Sequence, residues 1–221
     1  METARIAELL APYLAPADSA SVLSPALSKE QLNNISKYID ILLRWNSRIN
    51  LTAVREPEEI VRRHFGESLF SARYLFPNVE NQSPTRIIDV GSGAGFPGLP
   101  IKLWFPSAHV TLIEANNKKV TFLREVIRNI TLMNINVYSG RAEDYNDAQG
   151  DLVTLRAVEK FETVLPNAAA LMASHGRLAL LIGESQYQKA KEIKPAFRWN
   201  DPVPIPASTS RVLALASASQ V

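Results

Sequence analysis

Two periodicities divide the chain near Ser83-Pro84. Before that point apolar residues recur three and four positions apart. Leu32, Ile35, Ile39, Leu42 and Leu43 follow a Ser28/Gln31 capping box, and Ile60, Val61, Phe65, Leu69 and Ala72 follow Pro57. Both runs predict amphipathic helices, one opened by reciprocal capping and the other by a proline that needs no N–H in a first turn. After Ser83 short strand-like runs alternate with helical patterns. Strands are expected at residues 86–90, 109–114, 135–138, 151–155, 177–182 and 211–216, with one more inside 197–203. Helices are expected after the glycines at 91–98, at 118–131, at 159–173 and near 185–193, while Pro202, Pro204 and Pro206 read as a surface connection. The alternation predicts a doubly wound, mostly parallel α/β sheet in residues 83–221, with an N-terminal helical segment, 1–82, packed on it.

The stretch from Arg86 to Pro100, RIIDVGSGAGFPGLP, is the most specific in the chain. A buried strand runs into Asp89 and then into Gly91, Gly93, Gly95 and Gly98. Glycines let a loop take positive φ and let a ligand lie on bare backbone, and the helix beyond offers free N–H groups. Gly93 to Gly98 satisfies the dinucleotide pattern G-x-G-x-x-G. Two features argue for a different nucleoside: Asp89 stands just before the loop, and Pro97 has no N–H to give a pyrophosphate. A carboxylate aimed into the loop suits a cationic ligand without phosphate, and S-adenosylmethionine (AdoMet) is such a ligand. The next strand ends in Glu114, where an acid can accept from both ribose hydroxyls. Glu114 does not separate AdoMet from NAD, so an NAD-linked oxidoreductase stays a rival reading.

Composition bounds the rest. The 221 residues, 46% hydrophobic and 21% charged, suffice for one α/β core with a modest extension. With no cysteine there are no disulfides, thiolate metal sites or cysteine nucleophiles, and His64, His109 and His175 lack metal-ligand spacing. No metal is expected. No apolar run reaches a membrane span, and the N-terminal stretch METARIAELLAPYLAPADSA does not read as a leader, so a cytoplasmic protein off the membrane is expected. A net charge of +2 requires any nucleic acid to be met by a local patch.

Several elements recur together in one known family. LRWNSRINLT at Leu43 to Thr52, Arg63-His64 through Glu67-Ser68, DVGSGAGFPGLP, KKVTFL from Lys118, GRAED from Gly140 and Leu155-Arg156-Ala157 occur in order. On these the chain resembles the bacterial RsmG (GidB) family between about residues 30 and 183. The resemblance implies a Rossmann-like AdoMet-dependent methyltransferase that modifies N7 of one guanine in 16S, small-subunit, ribosomal RNA, with naked rRNA or a ribosomal particle as partner and a monomer as the expected state. Another RNA or a small-molecule acceptor on the same fold is the alternative. Carried over by position, the cofactor residues are Gly91, Phe96, Ala142, Glu143 and Arg156, to which the residue chemistry adds Asp89, Gly93 and Glu114. Phe96 is expected to wall the site with its ring, Glu143 to meet an adenine edge, and Arg156 to stand where methyl and base meet. The bland alternative for Arg156 is an ion pair with an acid such as Glu159.

Two positions depart from the family pattern: Glu67 stands where relatives often carry Asp, and Ile182 stands before Gly183 where they often carry Lys. The second puts any RNA-holding role of that lysine in doubt. Guanine N7 already presents an in-plane lone pair, so methyl transfer needs no general base and no catalytic acid or base is assigned. Two clusters are expected to touch RNA: Arg62, Arg63 and His64, and one helix face bearing Lys118, Lys119, Arg124 and Arg128. The competing reading is a solvated helix face, and neither cluster could specify sequence.

Overall fold

The computed structural model describes residues 1–15, 27–79 and 82–218; the N-terminal stretch read for a leader runs beyond the described residues after Ala15. Four helices precede the sheet: α1 (Thr3–Leu14), α2 (Lys29–Asn46), α3 (Pro57–Ile60) and α4 (Glu67–Leu75). The capping box at α2 forms as expected, with Ser28 Oγ accepting from Gln31 N at 3.1 Å and Gln31 Oε1 accepting from Ser28 N at 2.7 Å. Between α3 and α4 the single expected helix is interrupted by a π-helical segment, Val61–Gly66. π-turns are rare and concentrate at functional sites because the extra residue re-aims its neighbours. Here it carries Arg63 and His64.

The alternating half contains β1 (Arg86–Val90), α5 (Gly98–Trp104), β2 (His109–Glu114), α6 (Asn117–Asn129), β3 (Ile135–Ser139), a 3-10 turn (Ala142–Asp144), β4 (Gly150–Arg156), α7 (Phe161–Ala170), β5 (Met172–Gly183), α8 (Glu184–Ile193), β6 (Phe197–Trp199), β7 (Val203–Pro204) and β8 (Arg211–Ala218). The strand order is β3-β2-β1-β4-β5-β8-β6, with β7 also on β8. β1 to β5 are parallel, whereas β6 and β5 both run antiparallel to β8. The order reverses between β1 and β4, and that switch point is where doubly wound sheets open a crevice.

Two expectations shift. The helix expected to reach residue 173 stops at Ala170, because β5 starts at Met172 with an irregular extension that pairs Met172 with Gly150. The indistinct strand in 197–203 is two short ones, and Pro204, expected in a surface connection, pairs with Val212. Proline is tolerated there because β7 is short and peripheral.

Each face of the sheet has its own core. Ile87, Leu112, Leu152 and Leu181 pack with α1, α2, α4, α5 and α6 in one cluster, while Ile88, Val90, Val153 and Leu155 pack against α7 and α8 in the other. The N-terminal helices therefore share a core with the sheet. Ile182 lies in the second cluster and is buried, so the position of the absent lysine is a core position here.

Candidate active site

Beyond β1 the chain reverses through Gly91, Gly93 and Gly95, at φ of 67°, 58° and 90°. At Gly91 a side chain would be strained by φ and its Cβ would lie 3.0 Å from Val158. A Cβ at Gly98 would fall 2.8 Å from Asp89 Oδ2. That closeness reflects what Asp89 does. Its Oδ2 accepts from Gly98 N at 3.2 Å and its Oδ1 from Thr154 Oγ1 at 2.7 Å. In the parallel register Asp89 lies beside Thr154, on the same face as Ile87, so the pleat turns the carboxylate under the loop rather than into it. The expectation that Asp89 faces a ligand is corrected: it is fully buried and fastens β4 and the start of α5 to β1. The first N–H of α5 is likewise taken by Asp89. Burial raises the Asp89 pKa to about 6, against the lowering effect of its Thr154 and Gly98 hydrogen bonds.

Beside the loop lies a cleft of about 360 Å³ at the carboxyl ends of β1, β2 and β3, closed on its far side by the start of α7. Gly91, Glu114, Ala142 and Glu143 line it together with Lys160 and Asn167. Glu114 is held from below, with Oε2 accepting from Gly93 N and Oε1 from Asn116 N, both at 2.8 Å. Glu143 is exposed; its Oε2 accepts from Asn167 Nδ2 at 3.2 Å and Arg141 stands 3.5 Å from Oε1. A depression of similar volume, about 380 Å³, lies at the opposite ends of the strands around Arg86, His109 and Asn136. Ligands of doubly wound sheets bind at the carboxyl ends, which favours the first. Among the described residues no cluster of His, Cys, Asp or Glu could hold a metal ion.

Phe96 does not wall this cleft. Its ring is buried against Tyr38, stacked at 5.4 Å and 5°, with Phe65 edge-on at 5.1 Å and His64 at 4.9 Å. The aromatic face expected for a ligand is spent on joining the loop to α2 and the π segment. Tyr38 completes the joint by donating its hydroxyl proton to the Ala94 carbonyl.

Past Phe96, at the end of β4, Arg156 Nη2 lies 2.9 Å from Glu67 Oε2, 2.8 Å from the Arg63 carbonyl and 3.1 Å from His64 Nδ1. An ion pair was the bland alternative for Arg156, with Glu159 as the example; the partner is Glu67 instead. Arg211 Nε reaches the same Glu67 oxygen at 3.0 Å. Two guanidinium groups thus converge on one carboxylate, and the buried Nε–H of Arg156 has no partner among the described residues. On the far side, His64 Nε2 is 2.7 Å from Thr52 Oγ1. Asn46 fixes this loop, its Oδ1 accepting from Leu51 N and Thr52 N and its Nδ2 donating to the Thr52 carbonyl, each at 3.0 Å. The tryptophan of the same motif donates to Glu125 on α6 at 3.0 Å.

The expected RNA residues separate. Burial first, then the charges of Arg156, Arg63 and Arg211, lower the His64 pKa to about 3, so His64 is a neutral, buried ring and not a phosphate-binding cation. Arg62 is committed to Glu58 at 2.9 Å and Glu59 at 3.2 Å. Arg63, Lys118, Arg124 and Arg128 are exposed, with no side-chain partner among the described residues, and Lys119 is half-buried. Sequence reasoning treated Glu67 only as a departure, and Arg211 opens the last strand with no motif around it.

A glycine loop, a strand-end acid and a cleft at the switch point of this sheet define a nucleoside-binding enzyme of the methyltransferase fold. Solved structures share that fold: the ribosomal protein L11 methylase of Lactobacillus delbrueckii subsp. bulgaricus has a TM-score of 0.59 at 14% identity over 72% of this chain and 80% of its own. P. horikoshii TYW2, solved in complex with MeSAdo, gives 0.55 at 17% over 69% and 62%. A sequence relative, the ribosomal RNA small subunit methyltransferase G of Streptococcus suis, is 36% identical over 175 residues, 77% of this chain and 73% of the relative. The family model for GidB, rRNA small subunit methyltransferase G, matches residues 31–205, and the chain belongs to this family.

Proposed function

We propose that the chain transfers a methyl group from AdoMet to N7 of a guanine in small-subunit ribosomal RNA. One observation carries the reading: a cleft lined by Gly91, Glu114, Ala142 and Glu143 adjoins, at one switch point, the Arg156 array built on the N-terminal helices. The residues fit AdoMet. Gly91 leaves backbone bare, Glu114 offers a fixed carboxylate for ribose hydroxyls, Ala142 and Glu143 have backbone groups for an adenine edge, and Arg156 keeps one N–H unspent. Bound there, AdoMet supplies an electrophilic methyl on sulfonium.

The protein's part is orientation. His64 has both ring nitrogens engaged and Glu67 is ion-paired, so neither is a free base. N7 attack needs none, which leaves alignment of base and methyl as the main contribution. Residues 83–221 supply the cofactor cleft and residues 1–82 the wall against which the base is held. The family description and the relatives named for rRNA methylation support the RNA substrate, and exposed Arg63, Lys118, Arg124 and Arg128 offer phosphate contacts.

The test is incubation with methyl-tritiated AdoMet and either deproteinised rRNA or small-subunit particles lacking the modification, followed by nucleoside analysis. Labelled N7-methylguanosine is expected; label in another nucleoside, or none, rejects the acceptor. In parallel, AdoMet and not NADH should raise Tm, since only a ligand of the native state stabilises by mass action.

A further inference from the structure

We propose that the loop after α2, residues 47–55, holds the phosphate backbone of the substrate rRNA beside the target base through Arg48 and Arg55; this rests on the rRNA reading above. The first observation is the distribution of charge. Residues 41–55, ILLRWNSRINLTAVR, carry three arginines and no acid, which is more positive charge than the net +2 of the whole chain. The surplus is therefore local. Arg44 meets Glu125 at 3.5 Å, whereas Arg48 and Arg55 are exposed and have no side-chain hydrogen bond or ion pair among the described residues. Glu56 follows Arg55 in sequence and is not paired with it.

The second observation is that the loop is built to hold those cations outward. Its apolar side chains turn in: Leu51 is buried in the core that the N-terminal helices share with the sheet, and Ile49 and Val54 pack against the same core. Its backbone is satisfied from within. Arg48 N and Ile49 N donate to the Trp45 carbonyl at 2.9 Å, Val54 N donates to Thr52 Oγ1 at 3.1 Å, and Asn46 Oδ1 takes Leu51 N and Thr52 N. With the backbone paired locally and the apolar side chains buried, neither arginine is needed to hold the loop. Two cations on a fixed backbone also lose less freedom when a partner arrives, which favours binding.

The third observation is where the loop stands. Thr52 Oγ1 is 2.7 Å from His64 Nε2, and His64 Nδ1 is 3.1 Å from Arg156 Nη2 at the end of β4. A single imidazole separates the loop from Arg156. The other basic face leads away from the cleft: Arg128 lies eleven residues from the start of α6, about 16 Å along a helix that rises 1.5 Å per residue. A base held against the wall of residues 1–82 brings its flanking phosphates past residues 47–55. The guanidinium fork matches two phosphate oxygens at once, which suits arginine to that contact. Such contacts fix the register of the RNA and carry no sequence information.

The experiment measures binding of unmodified small-subunit rRNA to the full chain across a salt series, with methylation kinetics on the same RNA. Each cation that neutralises a phosphate adds about one to the slope of log affinity against log salt. Arg48→Gln and Arg55→Gln are each expected to lower that slope by about one, and the double variant by about two. The double variant is also expected to raise KM for rRNA at least about tenfold, with kcat, AdoMet affinity and Tm unchanged. Replacing both by lysine keeps the charges and is expected to keep the slope. Arg198→Gln, exposed on β6 at the far edge of the sheet, is expected to leave the slope as it is. A double glutamine variant with the wild-type slope and KM overturns the proposal. So does an Arg198→Gln protein that loses as much slope as Arg48→Gln, since the charge then acts through the whole surface. The single variants carry the test even if the double variant does not fold. Wild type that binds rRNA and makes no N7-methylguanosine fails at the functional reading, while the slopes still decide Arg48 and Arg55.

Discussion

The cleft and the junction beside it share one edge of the sheet and are built on opposite terms. The cleft is open, lined by backbone and by two carboxylates: Glu143 is exposed, and Glu114 is buried and fixed by the backbone amides of Gly93 and Asn116. The junction is largely buried and made of polar and charged side chains drawn from four distant places: Thr52, the π segment with Glu67, Arg156 and Arg211. Charges in water tolerate the loss of a partner, whereas buried charges do not. An exposed cleft charge such as Glu143 can therefore be altered at little cost to the fold, while the junction couples chemistry to stability.

The largest test of that contrast is Glu67→Gln. It leaves two guanidinium groups converging on no anion, and breaking a buried pair typically costs about 3–5 kcal/mol. Urea denaturation should show the midpoint fall sharply, with little change for Glu143→Ala across the cleft. Equal midpoints in the two variants would erase the distinction. Arg156→Lys should restore little of what Arg156→Ala loses, because a point charge cannot serve the Arg63 carbonyl, His64 and Glu67 from one plane.

Next in size is Glu114→Gln, which acts on the open side. A charge-assisted hydrogen bond contributes about 1.5–3 kcal/mol, roughly ten- to a hundredfold in affinity. Calorimetry should find AdoMet binding weakened by that factor, while Tm without ligand falls less than in Glu67→Gln, since an amide oxygen still accepts from one of the two backbone amides and only the NH2 end faces a donor. Unchanged affinity would remove Glu114 from the cofactor site.

The same contrast explains what could be read from the sequence. The main strands β1 to β5 and β8 are legible because each contains an apolar or alternating run bounded by turns, and four of the eight expected cofactor residues line the cleft because they stand at or just beyond the ends of those strands. Asp89 and Phe96 went astray because a motif gives neighbours along the chain and not the direction of a side chain. At β1 the pleat turned Asp89 toward Thr154, and the packing of α2 claimed Phe96. His64 looked like a cation because its neighbours in sequence are arginines, and burial, which no local pattern displays, made it neutral. Arg211 had no local signal at all; antiparallel β8 brings it opposite Gly183 and onto Glu67.

A third and smaller effect separates two buried titrations at the junction and under the loop. The His64 pKa is lowered from 6.5 to about 3, so as pH falls from 6.5 the unfolded chain takes up a proton that the folded chain refuses, and stability declines toward pH 3. The Asp89 pKa is raised from 3.8 to about 6, so the folded chain holds the extra proton between those values and stability rises as pH falls. Each slope is about 1.4 kcal/mol per pH unit and they oppose, leaving little net slope from this pair between pH 4 and 6. Asp89→Asn removes the second. Its stability, relative to wild type, should fall with acidification through that window; parallel profiles would show that the two groups are not the opposing pair.

The smallest effect lies on the exposed side of the π segment and asks which of its arginines face RNA. Arg62 already spends its charge on Glu58 and Glu59, whereas Arg63 is exposed and lends the junction only its carbonyl, a backbone contact that substitution preserves. Each cation that neutralises a phosphate adds about one to the slope of log affinity against log salt. Arg63→Ala should reduce that slope for rRNA binding by about one without moving Tm. Arg62→Ala should leave it unchanged, because removing a cation already matched by carboxylates releases no counterion at the RNA. If both variants lower the slope equally, the Glu58 and Glu59 pairs open when RNA arrives, and the ordering of the π segment by its own side chains is weaker than these distances imply.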